Sequence, residues 1–275
     1  MTILITGATG NVGRHLVGQL AAGGHPVRAL ARDPSAGRFP GGVETVAADL
    51  TDLAAIEAAL EGVTGLHLLT ALGSSNETLP NSAEIAAAAV KAGVRRVTTL
   101  WNGYRGPVEE AVEASGLEWT HLQPGEFMSN AVTWAEEIRA EGVVSEPFGH
   151  IAHAPTHPAD IAAVGAAALT TGEHAGQSYL LTGPEALTVP DQVAAIGEAI
   201  GRELRFEALS EEQGRERMRA MGMPDEAIDY VLGWRANPPA WTAEPSGLVE
   251  RVTGRPARTF AQWAREHADE FRSRP

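Results

Sequence analysis

Three glycines follow a short apolar run near the start of the chain, and their spacing suits the binding of an anion. Residues 3–5 predict a buried strand, and Gly7, Gly10 and Gly13 come directly after it. Apolar residues at intervals of four then predict a helix. Such a turn lets backbone N–H groups approach a pyrophosphate, and the helix N-terminus adds partial positive charge. The GxxGxxG spacing meets the general dinucleotide fingerprint only in part, so a glycine-rich turn in an ordinary βα unit is the alternative.

A charged residue further along predicts which dinucleotide the turn would take. Arg32 lies 19 residues after Gly13, just past the second predicted strand. A guanidinium at this point offers paired donors to the 2′-phosphate of an adenine ribose, so the sequence favours NADPH over NADH. Asp33 beside it would weaken that preference, and a solvated turn charge is the alternative interpretation of Arg32.

Composition excludes several kinds of chemistry. There is no cysteine, which excludes disulfides, thiolate nucleophiles, iron–sulfur clusters and cysteine zinc sites. Among the 21 basic residues only Lys91 is a lysine, and it falls in the last turn of a predicted helix, where a cation complements the dipole. The formal charge of −14 argues against a nucleic-acid partner, because neutralising phosphates requires a basic face.

Neither a membrane segment nor a metal site is predicted. No apolar run approaches the length of about 18 residues that spans a bilayer, and the chain begins directly with a strand rather than a basic leader. We therefore expect a soluble, cytoplasmic protein without a membrane partner. His150, His153 and His157 lie close together in the sequence, but their spacing matches no zinc pattern.

The elements that would position these residues form an α/β fold. Residues up to about 122 alternate apolar runs with alanine-rich helical patterns, which is typical of a doubly wound parallel sheet. Strands are predicted at 3–5, 26–31, 43–48, 65–70, 96–100 and 119–122, with helices at 53–60, 83–92 and 108–114.

The second half of the chain is too interrupted to predict a second sheet, so we expect a smaller, mostly helical lobe on the substrate side. Its predicted elements are a strand leading into a turn at 178–184 and helices at 161–169, 191–200, 211–219 and 259–271. The predicted domains are residues 1–130, to which later segments would return, and residues 131–275.

The glycine turn at residues 7–13 resembles that of the NmrA-like group of atypical short-chain dehydrogenase/reductases. Further similar blocks lie at 114–120, 124–125, 127–130, 157–162, 181–188 and 252–256, in order and over nearly the whole chain. The resemblance implies a Rossmann-type domain that binds NADP(H). The group includes NADPH-dependent quinone and azo-dye reductases as well as redox-sensing regulators with little catalysis, so the fold alone does not choose an activity.

The resemblance also implies a set of cofactor contacts at the turn and at other strand ends. These residues are Gly7, Thr9, Gly10, Asn11, Val12, Gly13, Arg32, Asp49, Leu50, Thr70, Ala71 and Leu72. Asp49 and Leu50 would border the adenine, and residues 70–72 would line the nicotinamide ribose. Asp49 is equally suited, together with Thr51, to cap the helix that follows it.

The proton relay that typical members of the superfamily use is missing. Their tyrosine and lysine form a YxxxK motif, whereas Tyr104, Tyr179 and Tyr230 have no lysine four residues later. Arg105 occupies the position where relatives often carry lysine; it can hold an anion but cannot usefully release a proton. The residues expected around the nicotinamide are Trp101, Asn102, Tyr104, His121, Gln123 and Phe127.

Hydride transfer to a quinone or another activated acceptor needs little acid catalysis, so positioning is sufficient. Tyr104 is the best hydroxyl donor, and Asn102 or Gln123 would hydrogen-bond a carbonyl oxygen; a loop aromatic covering the sheet edge is the alternative for Tyr104. The sequence thus predicts an NADPH-dependent reductase of a quinone-like or conjugated carbonyl small molecule. The alternatives are an NADP(H)-sensing regulatory binding protein and a cofactor-retaining isomerase or lyase. The oligomeric state stays open, a homodimer included.

Overall fold

A computed structural model of the chain describes residues 2–72, 77–101, 103 and 105–272. Its strands are β1 (Thr2–Thr6), β2 (Val27–Ala31), β3 (Glu44–Ala47), β4 (Val63–Leu69), β5 (Ala71–Leu72), β6 (Glu77–Thr78), β7 (Arg96–Leu100), β8 (Glu118–Pro124), β9 (Val143–Pro147), β10 (Gln177–Leu181) and β11 (Arg205–Leu209). Its α-helices are α1 (Gly13–Ala22), α2 (Leu53–Ala59), α3 (Ser82–Ala92), α4 (Pro107–Ala114), α5 (Ala135–Glu141), α6 (Pro158–Thr170), α7 (Val189–Ile200), α8 (Glu211–Ala220), α9 (Asp225–Ala236), α10 (Leu248–Thr253), α11 (Phe260–Glu266) and α12 (Ala268–Phe271).

These elements divide into two compact units. Unit 1 consists of Met1–Pro124, Pro158–Leu181 and Leu248–Arg255, and unit 2 consists of Gly125–His157, Thr182–Gly247 and Pro256–Pro275. Each unit has its own hydrophobic core. Within the described ranges, no helix combines the length and the apolar character that crossing a bilayer requires.

Unit 1 is built on a seven-stranded parallel sheet with the order β10-β8-β7-β4-β1-β2-β3. The chain runs outward from β1 to β3 and then returns to the other side of β1 to form β4. This is the doubly wound topology that the alternating sequence pattern predicts, and it places a topological switch point between β1 and β4. A ligand site is expected beyond the carboxyl ends of those two strands.

Helices cover both faces of this sheet. On one face, the buried side chains of α2, α3 and α4 pack with strand residues such as Leu4, Leu66 and Val97 in one continuous cluster. On the other face α1 packs against α6, where a Cβ at Gly165 would lie 3.1 Å from Leu122 Cδ1. Burial of each large aliphatic side chain in these layers contributes roughly 1.5–3 kcal/mol relative to exposure.

Unit 2 is mostly helical, as the sequence predicts. Its core joins buried residues of α5, α7, α11 and α12, with Phe260, Trp263 and Phe271 among its largest side chains. A short two-stranded parallel sheet of β9 and β11 adds to it. Met218, Ile228 and Leu232 form a separate small cluster where α8 packs on α9.

Two of the predictions about the second half are corrected by the structure. The absence of a further sheet was wrong, because β9 and β11 pair over five residues each although 57 residues separate them in the chain. The predicted strand that leads into a turn within residues 178–184 is confirmed: it is β10, which ends at Leu181 and pairs with β8 at the edge of the sheet of unit 1. The predicted final helix at 259–271 is two helices, because the backbone of His267 leaves helical geometry at φ −112° and ψ 15°.

Candidate functional site

The carboxyl ends of the parallel strands of unit 1 bring most of the predicted site residues to one edge of the sheet. Gly7 follows β1, Arg32 follows β2, and Thr70 follows β4. Thr6 fixes the two central strand ends together: its hydroxyl donates to His67 O at 2.9 Å and accepts from Leu69 N at 3.0 Å. Thr6 is not among the residues predicted for the site, although a hydroxyl at the last position of a buried strand is a signal for such a bridge.

The glycine turn is tightly packed against itself and against β4. Gly7 has a φ of +61°, and a Cβ there would lie 2.3 Å from Leu69 Cδ1. A Cβ at Gly13 would lie 2.2 Å from Gly7 O, and Gly10 N donates to that same oxygen at 2.9 Å. Each of the three positions therefore leaves little or no room for a side chain. Such a turn brings backbone, rather than side chains, up to whatever binds there.

The other predicted turn residues divide between surface and core. Gly10 and Asn11 are exposed and Thr9 is half-buried, whereas Val12 is buried at the start of α1. The exposed part of the turn thus consists of Gly10 and the Asn11 side chain, while Val12 anchors the helix. This is the division that an anion site at a helix N-terminus requires.

The aspartates that follow β2 and β3 are both hydrogen-bonded within their own turns. Asp33 accepts from the backbone N–H of Ser35 at 3.0 Å and from its hydroxyl at 2.5 Å, and the hydroxyl bond first of all lowers the pKa of Asp33. Asp49 accepts in the same way from Thr51, at 2.9 and 2.7 Å. The Thr51 hydroxyl is the largest cause of the lowered pKa of Asp49, to which the Arg32 charge adds.

Arg32 is exposed and makes no hydrogen bond or ion pair with any residue in the described ranges. Both neighbouring carboxylates are thus held by their own turns, while the guanidinium keeps its donors available. The alternative interpretation of Asp49 as a helix cap is wrong, because the side chain that caps α2 is Asp52, which accepts from Ala55 N at 3.1 Å.

Beyond β4, the predicted ribose-lining residues are held in place by backbone and hydroxyl bonds. Thr70 is buried and its hydroxyl donates to Leu100 O at 2.6 Å, which ties the ends of β4 and β7 together. Ala71 and Leu72 form the short antiparallel pair of β5 with β6. The backbone oxygen of Leu50 accepts from the Asn81 side chain at 2.9 Å, and the Leu50 side chain is buried.

His121 does not face the sheet edge, which corrects its predicted place near the nicotinamide. Its ring is buried against α4, stacked on Trp119 at a centroid distance of 4.4 Å. Nδ1 lies 2.7 Å from Thr99 Oγ1, and Nε2 lies 3.2 Å from Glu113 Oε1. Gln123, by contrast, is half-buried two residues further along β8, and its side-chain amide has no hydrogen bond to a described residue.

Comparison with known proteins decides the family. The model of the NmrA-like family matches residues 1–230, which is most of the chain. The chain belongs to the NmrA-like family.

Two relatives resemble this NmrA-like chain over nearly its full length. One is the (4-alkanoyl-5-oxo-2,5-dihydrofuran-3-yl)methyl phosphate reductase of Streptomyces griseus, 39% identical over 98% of this chain and 99% of the relative. Another is the NAD(P)H azoreductase of Xenophilus azovorans, 36% identical over 98% and 99%. Among solved structures, the NADPH-dependent quinone oxidoreductase of Escherichia coli complexed with NADPH superposes with a TM-score of 0.77 at 23% identity, covering 96% of this chain and 99% of that one.

The structure describes only some of the predicted substrate-side residues of this NmrA-like chain. Asn102 and Tyr104 lie outside the residues that the structure describes, so their roles stay predictions. Phe127 belongs to unit 2, where its backbone bridges to Thr156.

The three histidines that lie close together in the sequence were considered as a metal site. One of them, His157, is buried with Nε2 3.1 Å from Glu266 Oε2. Across the described ranges, no three His, Asp or Glu side chains are arranged to hold a metal ion.

Proposed function

We propose that this NmrA-like chain is an NADPH-dependent reductase that transfers hydride to a quinone-like or conjugated carbonyl small molecule without a YxxxK proton relay. The observation that carries the proposal is the pairing of a turn at the β1–β4 switch point, whose three glycines leave little room for a side chain, with an available arginine at the end of β2. We assign the cofactor to unit 1, which contains both features.

Two features support NADPH as the cofactor. The turn at residues 7–13 offers backbone N–H groups to the pyrophosphate, and Arg32 offers a fork of donors to the 2′-phosphate. Asp33, which would favour a 2′-hydroxyl, is already bonded to Ser35. When bound, NADPH supplies the hydride; the chain holds its phosphates and orients its nicotinamide.

The names of the relatives support an activated acceptor. The Streptomyces griseus enzyme is named for a 4-alkanoyl-5-oxo-2,5-dihydrofuran, whose ring double bond is conjugated with carbonyl groups, and the Xenophilus azovorans enzyme for azo compounds. In such acceptors the negative charge that hydride addition creates is delocalised onto heteroatoms. Water or the product itself then manages the proton, so a strong acid in the site is unnecessary.

The chain's own basic residues fit a reaction that needs no strong acid in the site. Lys91 cannot serve as a proton donor, because it is exposed on α3 with Nζ 3.7 Å from Glu57 Oε1. Arg105 forms ion pairs with Glu110 and Glu113. We assign Tyr104, Asn102 and Gln123 to substrate positioning, with Tyr104 donating a hydrogen bond to the acceptor oxygen. Their task is to align the acceptor with the nicotinamide.

The test is the loss of NADPH absorbance with purified protein and a panel of a naphthoquinone, an acylated butenolide and an azo dye. We expect turnover with at least one of the conjugated acceptors and none with a saturated lactone of the same size. Tight NADPH binding without oxidation by any of the acceptors would contradict the reductase and favour a sensing role. Conversion of a substrate without net loss of NADPH would instead indicate an isomerase or lyase.

A further inference from the structure

The side chain of Asn81 connects the start of α3 to the turn that follows β3. Its Nδ2 donates to Leu50 O at 2.9 Å, and the amide nitrogen must face that carbonyl, because a carbonyl oxygen can only accept. Asn81 occupies the N-cap position of α3, where an asparagine usually accepts from a backbone N–H of the first turn, yet its side chain makes no such bond. Among the described residues, Leu50 is therefore the only hydrogen-bond partner of the Asn81 side chain.

The turn that Asn81 holds is also bonded within itself. Asp49 accepts from the backbone N–H of Thr51 at 2.9 Å and from its hydroxyl at 2.7 Å, and Asp52 N donates to Asp49 O at 3.1 Å. The Leu50 side chain is buried in the core of unit 1. The Asn81 amide adds a bond from a different element, so the backbone of this turn is fixed both from within and from α3.

The segment that carries Asn81 is bound to the end of β4 as well. Leu79 N donates to Thr70 O at 3.0 Å, and the Leu79 side chain is buried in the same cluster as that of Leu50. In the sheet, β1 and β2 lie between β4 and β3. Residues 79–81 thus connect the two sides of the sheet edge at which the glycine turn lies, and they give the Asn81 amide a firm support.

The turn held by Asn81 starts next to Arg32. All of β3 pairs with β2, so the residues that follow these two strands are neighbours. The Arg32 charge adds to the effect of Thr51 in lowering the pKa of Asp49, so guanidinium and carboxylate lie within electrostatic reach. Only a ribose separates the 2′-phosphate of the cofactor from its adenine. A phosphate bound by Arg32 therefore places the base beside Asp49 and Leu50, which are predicted to border it.

We propose that Asn81 is a positioning residue for the adenine end of NADPH: by holding Leu50 O, it fixes the backbone of residues 49–51 beside the base. The proposal rests on the proposed binding of NADPH, which it deepens, and it does not depend on turnover. It explains why an asparagine at an N-cap leaves the first turn of its own helix without a side-chain bond. A turn that is already ordered binds more tightly, because less freedom is lost on binding.

The experiment replaces Asn81 by serine, which is neutral, suits the N-cap of α3 and is too short to reach Leu50 O. By calorimetric titration, we expect Asn81→Ser to raise the Kd for NADPH about 3- to 10-fold, the effect of losing one ordinary hydrogen bond. The Kd values for NADH and for adenosine 2′,5′-bisphosphate should rise by the same factor, because both ligands carry the adenine. Arg32→Ala, by contrast, should affect the ligands with a 2′-phosphate.

Glu84→Gln is the matched control at the same end of α3. Glu84 is exposed in the first turn, where its charge favours the helix N-terminus, and it has no contact with Leu50. It should leave all three dissociation constants unchanged even where it lowers Tm. Thermal unfolding without nucleotide shows whether each variant is folded, and Asn81→Thr, another neutral N-cap residue of about the same volume as asparagine, tests the contact if Asn81→Ser does not fold.

Three results would overturn the inference alone: an unchanged Kd for NADPH in the folded Asn81 variant, a loss for NADPH that spares adenosine 2′,5′-bisphosphate, or an equal loss in Glu84→Gln. The last would mean that any change at the start of α3 disturbs the site. A wild-type protein that does not bind NADPH would overturn the proposed function and this inference with it.

Discussion

The Cβ position of Gly13 lies 2.2 Å from the carbonyl oxygen of Gly7, far inside van der Waals contact. The start of α1 thus lies directly against the residue that follows β1, and Gly10 N also donates to that oxygen. The close approach is possible only because residue 13 has no side chain. It determines the shape of the turn that we assign to the pyrophosphate.

Gly13→Ala should therefore damage both the fold and cofactor binding. The clash is with backbone, which cannot move aside as a flexible side chain can, so we expect the free energy of unfolding to fall by about 1–3 kcal/mol. NADPH binding should weaken at least about tenfold, because the N–H groups of the turn lose their alignment. Chemical denaturation and fluorescence titration measure the two effects.

Gly18→Ala is the matched control on the same helix, since a Cβ there meets nothing within 4 Å. It should leave NADPH binding unchanged and stabilise the protein by roughly 0.5–1 kcal/mol. Equal losses in both variants would show that the turn has no special role.

Arg32→Ala should weaken the binding of NADPH much more than that of NADH. The lost group is a charge-assisted donor to the 2′-phosphate, which corresponds to roughly 10- to 100-fold in Kd for NADPH, with little change for NADH. Arg205→Ala, at an exposed position on β11 of unit 2, is the control and should leave both constants unchanged. Equal weakening of the two nucleotides by Arg32→Ala would remove the 2′-phosphate assignment.

His67 should make the stability of the protein depend on pH. Its ring is fully buried in β4, with Nδ1 2.8 Å from Thr98 Oγ1, and burial lowers its pKa from 6.5 to about 4. Below pH 6.5 the His67 ring binds a proton in the unfolded chain but stays neutral in the folded protein. The contribution of His67 to the free energy of unfolding is therefore fully present above that pH and is lost as the pH drops toward 4. The loss over this interval is up to about 3 kcal/mol.

Urea unfolding at a series of pH values measures this loss, and His67→Gln should flatten the curve while keeping a hydrogen-bonding group beside Thr98. Part of the slope remains in that variant, because burial also lowers the pKa of His121. His150→Gln, at an exposed position, should leave the slope as in the wild type. If the free energy of unfolding of His67→Gln depended on pH as steeply as that of the wild type, His67 would not be the source of the pH dependence.

Glu137 on α5 should contribute to the stability of unit 2. It accepts from Arg217 at 3.1 and 2.6 Å and from the Ser145 hydroxyl at 2.6 Å. Burial opposes its ionisation, but these hydrogen bonds outweigh burial and keep the pKa of Glu137 below its usual value. Glu137→Gln should lower the free energy of unfolding by about 2 kcal/mol, since Arg217 loses its charged partner.

The control for Glu137 is Asp229→Asn, which breaks the more exposed ion pair between Asp229 and Arg215. Exposed pairs are screened by water, so the expected loss is below about 1 kcal/mol. Thermal and urea unfolding of both variants should separate the two cases; equal effects would mean that the Glu137 pair is as weak as a surface pair.

Much of unit 1 could be predicted from sequence because its signals are local. The strand, glycine turn and helix over residues 2–22 follow one another directly, and β7 has the predicted bounds of 96–100. Unit 2 was harder to predict. The strands β9 and β11 are only five residues each, and α6, β10 and α7 separate these two partners in the chain. Short segments with distant partners carry little signal of their own.

The sequence by itself determined the glycine turn, the arginine that follows β2 and the absence of a YxxxK motif, because each depends on residue types at short spacing. Only the tertiary structure decided which polar groups remain available there. Thr70 is bonded to Leu100, thirty residues away, and His121 turns from the sheet edge to Thr99 and Glu113. Those outcomes depend on strand register and on which face of the sheet a helix covers, and both are set by long-range packing.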